Sequence, residues 1–275
     1  MYKKIILPTL ILFITTCVSA QSNFSSLKGL KITKISKSTV KSFTEMMGQE
    51  IENNQTTSTT TEINILEGNE KEMKAEDRTK KMKFTMEIMG EKVEYDSEND
   101  NNSGEMAKMG DAIDKPTTYT INTQGLVTNV KYDPVYEKEI KENGGGGLDA
   151  IVKGTPAPFM LVLPPQGATI GTTWKATYKM DMGKSKNTYT IKSIENGIAT
   201  VEILYETETS KTTETNGMDM KMNLTGKVTG TILVDVKTNL IKSSKTFSMQ
   251  KGELEIMGNT APMEITTTEE EIYSW

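Results

Sequence analysis

Residues 228–249 read VTGTILVDVKTNLIKSSKTFSM, and their apolar and polar side chains alternate along most of the stretch. Val228, Ile232 and Val234 fall on one face of an extended chain, and mainly threonine, lysine and aspartate fall on the other. This period of two is typical of a half-buried antiparallel strand. A turn pair, Thr238-Asn239, interrupts the alternation, which resumes from Ile241 to Met249. The stretch therefore predicts a β-hairpin.

The same pattern recurs elsewhere and predicts a mainly β protein. Residues 119–132 contain a second hairpin around Gln124-Gly125, and residues 191–205 contain a third around Asn196-Gly197. Asn-Gly is the strongest short-range hairpin signal, because both residues tolerate the positive φ angles of a tight turn.

The two halves of the chain resemble each other in order. Ser38–Gly48 parallels Thr172–Gly183, with a run of Thr or Ser and Lys followed by Met and Gly. A second parallel joins residues placed at every second position, namely Met82, Phe84 and Met86 with Met218, Met220 and Met222. We expect residues 21–275 to form one β domain with pseudo-repeat halves 30–132 and 170–273. Each half is expected to be an antiparallel meander, and the two together a curved sheet, half-barrel or sandwich.

Residues 133–169 differ in composition and are expected to connect the halves. Pro134 suits the first position of a helix, and the following acids and lysines predict one short helix ended by Gly144–Gly147. Pro156, Pro158 and the pair Pro164-Pro165 then predict an extended segment that cannot be an interior strand.

The N-terminus has the features of a secretory signal peptide, Met1–Ala20. Lys3 and Lys4 precede the apolar run Ile5–Thr16, which is too short for an ordinary membrane span. The small residues Ser19 and Ala20 predict cleavage before Gln21, and a lipoprotein signal acylated at Cys17 is the less favoured alternative. We expect an exported protein that is periplasmic, on the outer surface or secreted, with no transmembrane helix in the mature chain.

The composition excludes several classes of function. The chain has no His, and its single Cys, Cys17, lies in the predicted signal peptide. If that signal is removed, catalysis by His or Cys and zinc, haem or iron–sulfur sites held by them are excluded. The formal charge is −5 and Arg78 is the single arginine, which argues against nucleic-acid binding. The acidic loop Asp96–Gly104 is interpreted as solvated, because it lacks the turn glycine and the final Glu of a calcium loop. Glu269–Glu271, near the end of a predicted strand, are also interpreted as solvated surface. We expect no catalytic residues, no metal and no cofactor.

Methionine is the unusual feature of the composition, with 18 residues. The candidate ligand-binding residues are Met82, Phe84, Met86, Met218, Met220 and Met222. Three interpretations stay open for them. They could fill an irregular strand core, line a cavity for a lipid or hydrophobic peptide, or bind Cu(I) through thioethers.

The run Leu163–Trp174, LPPQGATIGTTW, resembles a feature of a family of secreted bacterial proteins of unknown function. In that family a Pro-containing stretch leads through a Val/Ile-Gly pair to a Trp that opens the second half. Gly226, Gly230 and Asp235 also fit the resemblance, although the family more often has Gly where Asn239 stands. The resemblance spans roughly residues 25–273 and implies an exported β protein with no established activity. A looser likeness, of architecture alone, is to half-barrel lipoprotein-carrier and lipocalin-like proteins.

These observations favour an exported, non-enzymatic envelope protein that binds an apolar ligand, lipid-like or peptidic, on a Met-lined face. The alternative is a structural or interaction protein of the cell surface without a ligand cavity. Cu(I) binding by methionine is less favoured than either.

Overall fold

The structure is a computed structural model that describes residues 24–46, 48–99, 110–143, 151–164, 167–180, 183–215, 218–256 and 258–275. The predicted signal peptide with Cys17, the run Gly144–Gly147 and most of the acidic loop lie outside the described residues.

The described chain forms one antiparallel sheet of twelve strands, which confirms the predicted fold class. The strands are β1 (Lys31–Met46), β2 (Gln49–Gly68), β3 (Glu72–Ile88), β4 (Glu91–Asp96), β5 (Thr117–Asn122), β6 (Val127–Tyr132), β7 (Thr173–Met180), β8 (Gly183–Glu195), β9 (Ile198–Thr215), β10 (Met218–Asp235), β11 (Ile241–Ile256) and β12 (Asn259–Ser274). Their order is β6-β5-β3-β2-β1-β12-β11-β10-β9-β8-β7. The N-terminal part of β3 pairs with β5, and its C-terminal part pairs with β4.

The sheet consists of two meanders that meet where β1 pairs with β12. The first meander runs from β1 to β6 and the second from β7 to β12, each mostly through hairpins between neighbours in sequence. At the seam, the register runs from Thr33 opposite Ser274 to Thr44 opposite Met263. The sheet is not closed into a barrel, because β7 ends it on one side and β6 and β4 end it on the other.

Local turn chemistry explains the hairpins of the second meander. Asn196 and Gly197 have φ angles of 50° and 79°, the positive values of a primed hairpin turn. In the next hairpin, a register shift occurs between Leu233 and Val234. Because a one-residue shift exchanges the faces of a strand, Ile241 is buried whereas Phe247 on the same strand points to the opposite face and is 46% exposed.

A short helix, α1 (Pro134–Asn143), follows β6. The segment after it, residues 151–164, is fixed by backbone hydrogen bonds to both meanders. Ala157 N donates to Gly125 O in the β5–β6 turn (2.8 Å), and Leu161 N donates to Asn239 O in the β10–β11 turn (2.9 Å). We call this segment the strap. Its buried side chains are Ile151, Ala157, Phe159, Met160, Leu161 and Leu163.

The main core lies between the strap and one end of the sheet. It is formed by one face of the strands, which we call the inner face; representative members are Ile32, Ile63, Tyr119, Val201 and Val234. This is the covered half of the sheet. The other half, the open half, comprises residues 40–46, 49–57, 82–96, 205–215, 218–228, 248–256 and 259–267. Within the described residues, no helix has the length and apolar character needed to cross a membrane.

Candidate ligand-binding face

The two faces of the open half differ in chemistry. Side chains alternate between faces along each strand, so the register assigns each residue to one of them. The inner face carries half-buried apolar side chains from seven strands: Val40, Ile51, Met86, Ile88, Val93, Met220, Met222, Val228, Ile256, Met263 and Ile265. Leu224 and Leu254 are buried among them, and neutral Ser, Thr, Asn and Gln side chains occupy most of the positions between. Lys211 and Glu91, near the two margins, are the charged exceptions among the described residues of this face.

The outer face of the sheet carries many charged side chains, which form ion pairs between neighbouring strands. Exposed apolar side chains lie among them, namely Ile35, Phe43, Leu204, Phe247, Met249 and Ile272. Lys184 pairs with Glu208 (2.7 Å), Lys251 with Glu264 (2.6 Å) and Lys245 with Glu270 (2.5 Å). A wide, shallow depression of about 640 Å³ lies on this face, over β7 to β11. Lysine and glutamate side chains border it, together with Gly183 and Gly252.

The predicted residues on β3 lie mostly in packed structure. Met82 is fully buried and Phe84 is 6% exposed, and both pack with Tyr95, Ala112 and Tyr136 in a second, smaller core. Met86 is half-buried at the margin of this cluster.

The predicted residues on β10 lie on the same face but on the other flank. Met220 and Met222 are half-buried, and Met222 lies opposite Leu254 of β11. Met218 pairs with Thr215, and its side chain lies outside the described residues. Four strands separate β3 from β10, which corresponds to about 24 Å along the sheet at about 4.8 Å per strand. The six predicted residues therefore do not form one compact cluster.

Residues that the sequence pattern did not single out lie between these flanks. Met263 and Ile265 on β12 and Ile51 on β2 occupy the middle of the inner face. Alternation at Ala261, Met263 and Ile265 was a usable signal for β12. Met263 and Ile265 lie near Met222 because β12 pairs with β11 and β11 pairs with β10. The periodicity of the sequence does not reveal this strand order.

A polar cluster borders the open half where it meets the core. The Lys34 ammonium lies 2.7 Å from Glu271 Oε1, and Ser244 Oγ donates to Glu271 Oε2 at 2.8 Å. The Tyr273 hydroxyl lies 2.7 Å from the carbonyl oxygen of Pro158 in the strap and 3.0 Å from Glu271 Oε2. These contacts tie the strap to the seam between the meanders.

An aromatic group continues this border across β7, β8 and β9. The Trp174 and Tyr189 rings stack with centroids 5.0 Å apart, and Tyr205 meets Tyr189 edge to face at 5.6 Å. Asn187 Nδ2 donates to the Tyr189 hydroxyl (3.0 Å). Burial raises the pKa of Tyr178, Tyr189 and Tyr205 well above the usual range. These hydroxyls stay neutral at physiological pH, so they offer hydrogen bonds rather than a charged nucleophile.

In the part of the chain that the structure describes, no group of three or more His, Cys, Asp or Glu residues could hold a metal ion.

Comparisons with known proteins agree with an uncharacterised β domain. Residues 148–241, about a third of the chain, match a family of unknown function, DUF6263. No curated protein matches the chain. The fold is similar to that of lipovitellin, in a solved structure named "Lipid-protein interactions in lipovitellin", with a TM-score of 0.50 and 12% identity over 90% of this chain. This chain spans 25% of that lipovitellin chain.

A second likeness, to OccK5 (OpdH) of Pseudomonas aeruginosa, covers 89% of this chain and 98% of that one at 6% identity. Its TM-score of 0.25 is too low to indicate a shared fold.

Proposed function

We propose that this protein is an exported, non-enzymatic envelope protein that binds a lipid-like ligand on the inner face of the open half. The observation that carries the proposal is the half-buried apolar surface of that face in the open half, where the outer face of the same strands carries mainly charged side chains. A partly exposed apolar surface that several strands share is typical of a binding site.

The residue types of the face suit a ligand without fixed shape. Met86, Met220, Met222 and Met263 bring flexible, polarizable thioethers, which repack around different apolar groups. Acyl chains vary in length and conformation, so an adaptable surface suits them better than a rigid pocket does.

The geometry of the sheet supports a trough rather than a flat surface. Gln250 Nε2 on β11 donates to Thr207 Oγ1 on β9 at 3.2 Å, and the register places Gly226 of β10 between them. In a flat sheet those two strands lie about 9.6 Å apart. The absent side chain at Gly226 leaves room for the two side chains to meet above it, which favours a concave inner face. The strap closes this trough at the covered half.

The likeness to lipovitellin supports a lipid-like ligand. The lipovitellin structure concerns lipid–protein interactions, and its fold matches 90% of this chain. The match spans 25% of that lipovitellin chain, so it supports the proposal through the fold alone.

Export and the lack of enzymatic activity belong to the same proposal. The N-terminal pattern Met1–Ala20 supports export, and the absence of His and of any Cys besides Cys17 removes the commonest catalytic groups. The charged pair Lys34 and Glu271 is committed to structural contacts with Ser244 and Tyr273.

Native mass spectrometry of the protein purified from its own cell envelope tests the proposal. We expect a fraction of the protein to carry an additional mass of a lipid, removed by raising the collision energy. A protein that shows its bare mass alone, and still does so after incubation with vesicles of envelope lipids, would favour the structural or interaction protein without a ligand cavity.

A further inference from the structure

A largely enclosed cavity of about 110 Å³ lies beneath the strap, on the inner face of the first meander. Its walls come from β1, β2, β3, β5, the loop before β5, α1 and the strap. The lining residues are mostly polar: Lys34, Thr59, Thr61, Asp77, Thr79, Lys115, Thr117 and Thr155, with Ala112, Tyr136, Ile151, Pro156 and Pro158. The cavity is therefore a polar space next to an apolar trough.

Several of the polar groups already have partners. Lys34 pairs with Glu271, Asp77 accepts a 2.6 Å hydrogen bond from the Tyr119 hydroxyl, and Thr155 Oγ1 donates to Val152 O at 2.7 Å. These groups line the cavity, but their hydrogen bonds are made within the protein and not with a ligand.

The remaining groups are hydrogen-bond donors without partners among the described residues. The ammonium of Lys115 makes no ion pair at salt-bridge distance there, although, together with the 2.6 Å hydrogen bond from Lys80, its charge helps to lower the pKa of the neighbouring Asp114. The hydroxyls of Thr59, Thr61, Thr79 and Thr117 have no hydrogen-bond partner there either, although Thr61 and Thr117 are buried residues. Because these hydroxyls line the cavity, ordered water or a bound group can form hydrogen bonds with them.

The donor set and the volume define the class of group. An ammonium and several hydroxyls suit the oxygens of a carboxylate or phosphate, through charge-assisted hydrogen bonds. A volume of about 110 Å³ is well below the several hundred Å³ of a drug-sized ligand pocket. The cavity therefore has room for a head group and not for a whole lipid.

The position of the cavity connects it to the open half. Tyr136 and Ala112, on one wall, belong to the smaller core with Met82 and Phe84, and Ile151, on another, belongs to the main core. Thr59 lies directly opposite Met82 in the β2–β3 pair, and Thr57, the next inner residue of β2, lies opposite Phe84. The cavity thus lies beside the apolar face, and the acyl chain of an amphiphile held in it would pass over the buried side chains of Thr57, Met82 and Phe84 to reach that face.

We propose that this cavity binds the anionic head group, carboxylate or phosphate, of an amphiphile whose acyl chain lies on the open half. Lys115 provides the charge and the threonine hydroxyls provide the hydrogen bonds. This inference rests on the proposed function and specifies its ligand as an anionic single-chain lipid or a molecule of that type.

Calorimetric titration of the exported chain with probes of one chain length tests the inference. Dodecyl phosphate, dodecanoate and 1-dodecanol share an apolar tail and differ in head group. We expect both anions to bind about tenfold more tightly than the alcohol, because each anion gains one or more charge-assisted hydrogen bonds that the alcohol lacks. Lys115→Gln is expected to remove that difference while leaving dodecanol binding unchanged. Lys175→Gln, on the outer side of β7, is the matched control and is expected to change none of the affinities.

The outcomes separate this inference from the proposed function. Equal affinities for the three probes, or a Lys115→Gln variant with unchanged preference for the anions, would overturn the head-group site while leaving the trough intact. Failure of all three to bind would contradict the proposed function itself. If inorganic phosphate bound as tightly as dodecyl phosphate, the cavity would be a site for a free anion. That result would also overturn the inference that its ligand is an amphiphile.

Discussion

The ammonium of Lys34 and the carboxylate of Glu271 form a 2.7 Å ion pair at the seam where the first strand of the chain meets the last. Their side chains are only 7% and 14% exposed, so both charges have lost most of their hydration. A buried pair is stable only when its remaining hydrogen-bonding capacity is met, and Ser244 and Tyr273 contribute here. The pair therefore links the two meanders to each other and, through Tyr273, to the strap.

Loss of the acid in this pair is expected to destabilise the protein. Glu271→Gln removes the carboxylate that lies 2.7 Å from the buried Lys34 ammonium, and we expect a loss of about 3–5 kcal/mol in the free energy of unfolding. Urea denaturation of the exported chain measures it. Glu270→Gln, which breaks the exposed Lys245–Glu270 pair on the adjacent residue, is the control, and no measurable change is expected. Equal effects of the two substitutions would show that the seam does not depend on the buried pair.

Asn239 is expected to anchor the strap through both its conformation and its side chain. Its φ is 60°, and its Oδ1 accepts a 3.1 Å hydrogen bond from Leu163 N in a buried environment. Asn239→Gly keeps the turn and removes the acceptor, at a cost of about 1–3 kcal/mol. Asn239→Ala adds the cost of a positive φ, so stability in urea denaturation should fall in the order wild type, Gly, Ala. A glycine variant as stable as the wild type would show that the side-chain contact does not hold the strap.

Buried tyrosines predict a loss of stability at high pH. Burial raises the pKa of Tyr119, Tyr189, Tyr205 and Tyr273, whereas in the unfolded chain they ionise near pH 10. Above about pH 10 the unfolded chain binds fewer protons than the folded one, so stability falls as pH rises and is fully present below that pH. Urea denaturation from pH 8 to 11 should show the fall. In Tyr205→Phe the slope should be shallower by about 1.4 kcal/mol per pH unit; parallel curves would contradict the assignment.

The position of the N-terminus distinguishes the two export hypotheses. Cleavage after Ala20 predicts a mature chain that begins at Gln21 and lacks Cys17. Intact mass measurement of the protein isolated from its own cells should give this chain. A mass that includes Cys17 with attached acyl groups would establish the lipoprotein alternative instead.

Local signals predicted the strands, and long-range contacts decided what the strands build. Asn196-Gly197 determines its hairpin within a few residues, so the sequence was sufficient there. The burial of Phe159 in the strap was not foreseen, because it depends on hydrogen bonds to Asn239 and Gly125, which are far away in sequence. The charges of Lys34 and Glu271 carry no periodic signal that would join them across the whole chain. Met82 and Met222 were correctly expected on apolar strand faces, but the strand order that separates them is a property of the assembled sheet.

Binding of a lipid-like ligand by the inner face of the open half is tested most directly by paired substitutions on adjacent residues. Met222 and Ile265 face inward, whereas Asn223 and Thr266 on the same strands face outward. We would measure the equilibrium binding of a fluorescent fatty acid to each Lys variant, after far-UV circular dichroism has shown that the sheet is retained. We expect Met222→Lys and Ile265→Lys to weaken binding at least tenfold, because a charge on the apolar face opposes the acyl chain, and Asn223→Lys and Thr266→Lys to bind like the wild type. Equal binding by inner and outer variants, or no binding by the wild type, would contradict a lipid-binding inner face.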